Sequence, residues 1–224
     1  MRNLLTMTVV LLLGSSLVLA DDLYPPPWRG SPNTLSAEWD VWTGFPGRMS
    51  PDHWQATPPG PTGPWAEATA GTLLLREYAD RLDVLKIPDE GPTGIERIIF
   101  QLDNYDQSNG LKVVRMQFSL WEGVPPSQVI PADLNVWTDA GGPFHPEFTQ
   151  VGHHYDNITG WATYAYEFTL SPNPAWERIQ VDIASVAAWE GYLDQVVIDT
   201  WCVPEPATLS LLALGGLALI RRRR

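Results

Sequence analysis

The chain reads as an all-β protein: an antiparallel two-sheet sandwich, jelly-roll-like, with Pro/Trp-rich N-terminal loops and a single hydrophobic helix at the C-terminus. Three observations predict it. From residue 70 onward, apolar side chains recur at every second position in one segment after another, the spacing of strands with one wet face. Gly, Pro, Asn and Asp punctuate those segments. There is no long amphipathic helical pattern, and no internal repeat that would point to a propeller or solenoid.

The elements follow in order. Residues 21 to about 66 are crowded with Pro, Gly and Trp, and proline interrupts both helices and central strands. This part is expected to be mostly irregular, with one short strand near Thr34–Trp42. Trp28, Trp39, Trp42, Trp54 and Trp65 carry too much apolar area to remain in water, so these loops should be pinned to a sheet by their tryptophans. Gly71–Leu75 and Asp83–Ile87 are short strand candidates, and Glu77–Leu85 could form a turn or two of helix. Ile95–Leu102, Lys112–Leu120, Ala162–Leu170, Arg178–Ile183 and Tyr192–Trp201 are the stronger strands. Asn109-Gly110 suits a tight turn joining the strands on either side into a hairpin. Eight to ten strands in some 180 residues suit a two-sheet sandwich, most simply a jelly roll.

The two ends have another character. Arg2 followed by the apolar run Leu4–Leu19 and the small residues of Val18-Leu19-Ala20 reads as a signal peptide, residues 1–20, cleaved before Asp21. The mature domain then spans residues 21–203. At the other end, Pro204-Glu205-Pro206 precedes an apolar run from Ala207 to Ile220 and the cluster Arg221, Arg222, Arg223 and Arg224. About 20 apolar residues are wanted for a full membrane span, and this run is shorter. Terminal arginines resist translocation and hold their end on the cytoplasmic side.

This tail, residues 204–224, resembles the PEP-CTERM sorting signal of bacterial exported proteins, with its Val-Pro-Glu-Pro-like motif, short membrane helix and arginine cluster. The resemblance implies recognition by an exosortase after signal peptidase has acted. It implies inner-membrane anchoring, transient or stable, and a final place at the cell surface or in an extracellular, exopolysaccharide-rich biofilm matrix. Pro204, Glu205 and Pro206 would be the recognition motif and Arg221–Arg224 would set topology, as substrate features rather than catalytic ones. A looser similarity to exported PEP-CTERM proteins lies in Pro26-Pro27-Trp28-Arg29-Gly30 and in Asp194–Thr200. It implies a β-rich extracellular domain and carries over no chemistry.

Charge narrows the partners. The chain has a net charge of −12, and without Arg2, Arg221–Arg224 and Glu205 there remain 9 basic and 25 acidic residues, a balance of −16. Such a surface repels phosphate backbones, so no nucleic-acid partner is expected. Cys202 is the only cysteine, which rules out an intramolecular disulfide. It reads as a small residue closing the last strand, with an intermolecular disulfide or a thiol used in processing as alternatives.

Three constellations could carry chemistry. His145, Glu147, His153, His154 and Asp156 gather metal-type ligands in one loop, but adjacent histidines point to opposite faces of an extended chain and helical spacing is absent. Asp103 and Asp106, with Asp194, Asp199, Glu38 and Asp40, offer oxygens of the kind calcium takes, without the spacing of an EF-hand. No cofactor is therefore expected beyond a weak case for calcium. Eleven tryptophans are many for this length. Trp121, Trp137 and Trp161, with Trp176 and Trp189, lie at strand ends or in loops, where they could either stack on sugars or seal the edges of the fold. Catalytic signatures are missing: there is no Gly-x-Ser-x-Gly elbow, no Cys–His pair in context and no phosphate-cradling glycine loop. The expectation is a non-enzymatic surface or matrix protein, with a carbohydrate-binding module as the alternative and a hydrolase behind both.

Overall fold

A computed structural model describes residues 22–44, 47–68, 73–87, 96–105, 110–123, 129–185 and 191–203. Among them are thirteen strands and no helix. The signal peptide, the motif Pro204–Pro206, the expected C-terminal helix, Arg221–Arg224, Asp106, Asn109 and Trp189 lie outside the described residues.

The strands are β1 (Thr34–Trp39), β2 (His53–Thr57), β3 (Trp65–Ala68), β4 (Leu73–Tyr78), β5 (Arg81–Ile87), β6 (Glu96–Asp103), β7 (Leu111–Trp121), β8 (Val129–Thr138), β9 (Gly141–Phe144), β10 (Thr149–Tyr155), β11 (Trp161–Leu170), β12 (Trp176–Ser185) and β13 (Gly191–Val203). They form two antiparallel sheets. The larger runs β10-β11-β7-β13-β1-β2, with β5 also paired to β13 and β4 to β5; the smaller runs β3-β6-β12-β8-β9. From β5 onward the chain alternates between the sheets at almost every step, staying in one sheet only from β8 to β9 and from β10 to β11.

Alternation builds the core. In β11, Ala162, Tyr164, Tyr166, Phe168 and Leu170 turn inward, and in β7 Val114, Met116, Phe118 and Leu120 do the same. They share one apolar cluster with Ile98, Phe100 and Leu102 of β6 and with Ile179 and Val181 of β12, so the two sheets meet face to face. Trp39 of β1 contacts Phe100 of β6 edge-on, with ring centroids 5.0 Å apart. Trp39 and Trp42 are both fully buried, as the tryptophan-pinned loops required.

Several expectations are corrected. Glu77–Leu85 is a hairpin rather than a helical turn: Ala79 and Asp80 take φ of 46° and 68°, the left-handed pair that a two-residue hairpin turn demands. The strands flanking Asn109-Gly110 do not pair with each other, because β6 belongs to the smaller sheet and β7 to the larger. The His145–Asp156 segment is not all loop, since Thr149–Tyr155 adds β10 to the sheet edge. In the Pro-rich N-terminal part, β2 is an edge strand of only five residues and β3 has four, both too short to show a period.

Candidate functional site

Strand β13 is the axis of the larger sheet and runs directly into the tail. Its start pairs with β5, its length with β7 and its final half with β1, down to Val203 opposite Leu111. Its outer face is covered by the N-terminal arm. Arg29 donates from Nε to Asp199 Oδ1 at 2.6 Å and also grips Asp22, so the Asp199 side chain is wholly shielded from solvent. Gln117 Nε2 donates to Asp22, and the Tyr24 amide donates to Gln117 Oε1 at 2.8 Å. Trp28 stacks on Trp201 at 5.9 Å. The two segments that resemble exported PEP-CTERM proteins, Pro26–Gly30 and Asp194–Thr200, are thus in contact through Arg29 and Asp199. Burial raises the Asp199 carboxyl above its ordinary range, against the pull of Arg29.

The pole where β13 ends carries a cleft of about 1040 Å³. The β8–β9 turn, the segment after β9 and the loop between β11 and β12 form its walls, and Asn104 and Tyr105 at the end of β6 complete it. The site around Asn104 is held from beneath. Lys112 of β7 and Glu177 of β12 form an ion pair with both side chains fully buried. Asn104 accepts from Lys112 Nζ and donates to Glu177 and to the Pro174 carbonyl. Burial is the main influence on Glu177 and pushes its carboxyl up, opposed by Lys112 and Asn104. Asn173 donates to the Tyr105 carbonyl at 3.1 Å. Cys202 lies against this cluster, buried, and burial raises its thiol. A thiol held in that state is a poor nucleophile at neutral pH.

The other candidates fall in separate places. His145 lines the cleft, while Glu147 is exposed on the segment that follows β9. His153 lies on edge strand β10 and stacks on Tyr164 at 4.6 Å, and His154 is exposed. Asp156 caps its own turn, accepting from the Ile158 amide and the Thr159 hydroxyl, both at 2.8 Å. Among the described residues, no group of three or more His, Cys, Asp or Glu side chains is placed to hold a metal. The acidic set is dispersed: Asp194 pairs with Arg81, Asp199 with Arg29, and Glu38 accepts from Gln195. Asp103 ends β6 half-buried.

The tryptophans divide in the same way. Trp161 is 3% exposed, its Nε1 donating to the Ala79 carbonyl at 2.9 Å, so it offers no ring face to a glycan. Trp121 is half-buried among Tyr78 and Tyr192 and donates to the Thr159 carbonyl. Trp137 and Trp176 are half-buried, and Trp54 is 45% exposed. The residues that sequence reasoning missed are Asn104, Tyr105, Lys112 and Glu177, whose polar character shows in the sequence but whose meeting does not.

Comparison with known proteins bears on the tail. Residues 203–224 match the family model of the PEP-CTERM protein-sorting motif. The chain carries a PEP-CTERM sorting motif. A PEP-CTERM motif implies processing by an exosortase, export, and sorting to the cell envelope or surface. No curated protein matches the chain. Among solved structures, the chain is similar to the enzymatically active domain of tailspike protein 4 from bacteriophage CBA120, at 11% identity and a TM-score of 0.30, covering 72% of this chain and 19% of that one. It is also similar to β-glucosidase from Kluyveromyces marxianus, at 7% identity and a TM-score of 0.26, covering 73% of this chain and 17% of the enzyme. The same enzyme in complex with glucose gives 8% identity and a TM-score of 0.21, with 73% and 15% coverage. The PEP-CTERM chain therefore spans under a fifth of the length of each of these proteins.

Proposed function

We propose that this is a non-enzymatic exported protein of the bacterial cell surface or extracellular matrix, a jelly-roll-like sandwich that an exosortase delivers and processes through the C-terminal tail. The single observation that carries the reading is the PEP-CTERM motif beginning where β13 ends, so that the sheets stand directly upstream of the sorting signal. The strand alternation between sheets supports the jelly-roll reading. The deciding experiment is the intact mass of the protein recovered from its native envelope. A C-terminus near Pro204-Glu205-Pro206, with or without an added group, supports exosortase processing. A mass that retains Arg221–Arg224 makes the tail a plain anchor and sinks that part of the proposal.

A second reading is a carbohydrate-binding module. Its support is the open cleft at one pole, with Phe144 exposed in its lining. Titration with neutral polysaccharides, followed by tryptophan fluorescence, tests it; a saturable shift supports binding and its absence across a broad panel counts against it.

A further inference from the structure

We propose that this cleft, rather than any tryptophan, is a binding site for one or two units of an uncharged sugar chain. The inference rests on the carbohydrate-binding reading and deepens it by naming the site and the ligand class.

The lining decides the ligand. Its hydrophobic part includes Phe144, which is 45% exposed, and the rigid rings of Pro143, Pro146, Pro172 and Pro174, with Leu170 beside them. Such surfaces suit the C–H faces of a pyranose, because ring packing removes apolar area from water without ordering a flexible side chain. The same lining carries the polar side chains of Asp139, His145, Thr169 and Ser171, all exposed. Hydroxyls radiating from a sugar ring need partners of that kind, spread around the rim rather than gathered at one point. The Asp139 Oδ1 atom accepts from the Ala175 amide at 2.9 Å, which ties the carboxylate to another lining residue.

Charge excludes the acidic alternatives. Among the described residues no lysine or arginine lines the cleft, and Lys112, which bonds the lining residue Asn104, is fully buried and paired with Glu177. With Asp139 in the lining and a net charge of −12 over the chain, a uronate, sulfate or phosphate would enter against the field. A cavity of about 1040 Å³ is at the upper end of ordinary ligand sites, roughly 300–1,000 Å³, and so has room for more than one sugar unit. The polar side of the floor is preorganised, because Asn104 is held by Lys112, Glu177 and the Pro174 carbonyl before any ligand arrives.

The test uses the full chain in detergent and four probes: cellohexaose, dextran, polygalacturonate as the anionic arm, and a proline-rich decapeptide for the competing use of an aromatic, proline-lined cleft. Binding is read by calorimetry for the native chain and for Phe144→Ala, Asp139→Ala and Trp54→Ala. The expected result is binding of a neutral probe, weakened about tenfold or more by Phe144→Ala, as truncation of an aromatic anchor does. Asp139→Ala should weaken it too, while Trp54→Ala leaves it unchanged, and polygalacturonate should not bind. Because Phe144 and Asp139 are exposed, melting curves of both variants should overlay the native one, which separates lost binding from lost folding. Neutral-glycan binding that survives both cleft substitutions and fails in Trp54→Ala would overturn the cleft assignment while leaving the carbohydrate reading intact. No binding to either neutral probe overturns both, and capture of the peptide alone replaces the sugar with a peptide ligand.

Discussion

Replacing Lys112 with methionine should remove a large part of the protein's stability. Lys112 and Glu177 are each 0% exposed, and they join the larger sheet to the smaller across 65 residues of chain. Methionine fills the space of the lysine stem but leaves the Glu177 carboxylate buried, with the Asn104 amide as its remaining named partner. Breaking a buried pair from one side costs about 3–5 kcal/mol, because a desolvated charge has lost its counter-charge. Domains are stable by only about 5–15 kcal/mol in total. At about 2–4 °C per kcal/mol for a protein of this size, the melting temperature should fall by on the order of 10 °C. The assay is urea and thermal unfolding of the full chain at pH 7, followed by far-ultraviolet circular dichroism and tryptophan emission. The double variant Lys112→Met/Glu177→Leu should recover most of the loss, since an apolar pair of similar volume is often as stable as the ion pair it replaces. A single variant within about 1 kcal/mol of native, or a double variant less stable than the single, would refute the reasoning.

Three further outcomes are expected. Arg29→Ala uncovers the shielded Asp199 and frees the N-terminal arm, so it should destabilise by about 2 kcal/mol or more, while Asp22→Asn, at the more exposed partner, costs well under 1 kcal/mol; paired urea titrations compare them. Trp161→Ala should cost about 3–5 kcal/mol as a buried aromatic that also loses its bond to Ala79, whereas Trp54→Ala should stay within about 1 kcal/mol in the same titration. Burial first, and then the neighbouring Asp40 charge, raise the Glu38 carboxyl. A carboxyl raised by folding adds stability that is complete below its unfolded value, near 4.3, and is lost as pH rises through the folded value, so ionised Glu38 is unfavourable at neutral pH. Glu38→Gln, which keeps an acceptor for Gln195, should therefore be more stable at pH 7 by a fraction of a kcal/mol, up to about 1 at this partly exposed site, with the gain gone by about pH 4; a gain of equal size at both pH values would reject the titration as its cause.

What could be read in the chain depended on how local the signal was. The long strands β7, β11, β12 and β13 came close to their observed limits, because each turns a row of apolar side chains into the core, even though the opposite row of β11 and β13 is largely covered as well. The edge strands β2, β9 and β10 were not recognised, since exposed strands carry no apolar face to reveal a period; β3 was too short to show one, and the interior strand β8 was missed as well, its pattern broken by Pro131 and by a register shift against β12. Glu77–Leu85 looked helical by composition, and the Ala79-Asp80 turn made it a hairpin. Trp161 looked like a loop-end aromatic and is a core residue, because β4 and β5 fold over it.

By itself, the sequence determined the all-β class, the sorting motif in residues 203–224 and the acidic character of the body. All three are properties of contiguous residues: period-2 burial, a linear peptide signal and summed charge. Only the tertiary structure decided that Arg29 seals Asp199, that Lys112 meets Glu177 beneath Asn104, and that Phe144, Asp139 and Tyr105 face one cleft. Arg29 and Asp199 lie 170 positions apart and Lys112 and Glu177 lie 65 apart, and Tyr105 reaches the cleft from the end of a different strand than Asp139 and Phe144. Those meetings depend on which sheet each strand enters and in which register, and these follow from packing the whole core rather than from any local stretch of chain.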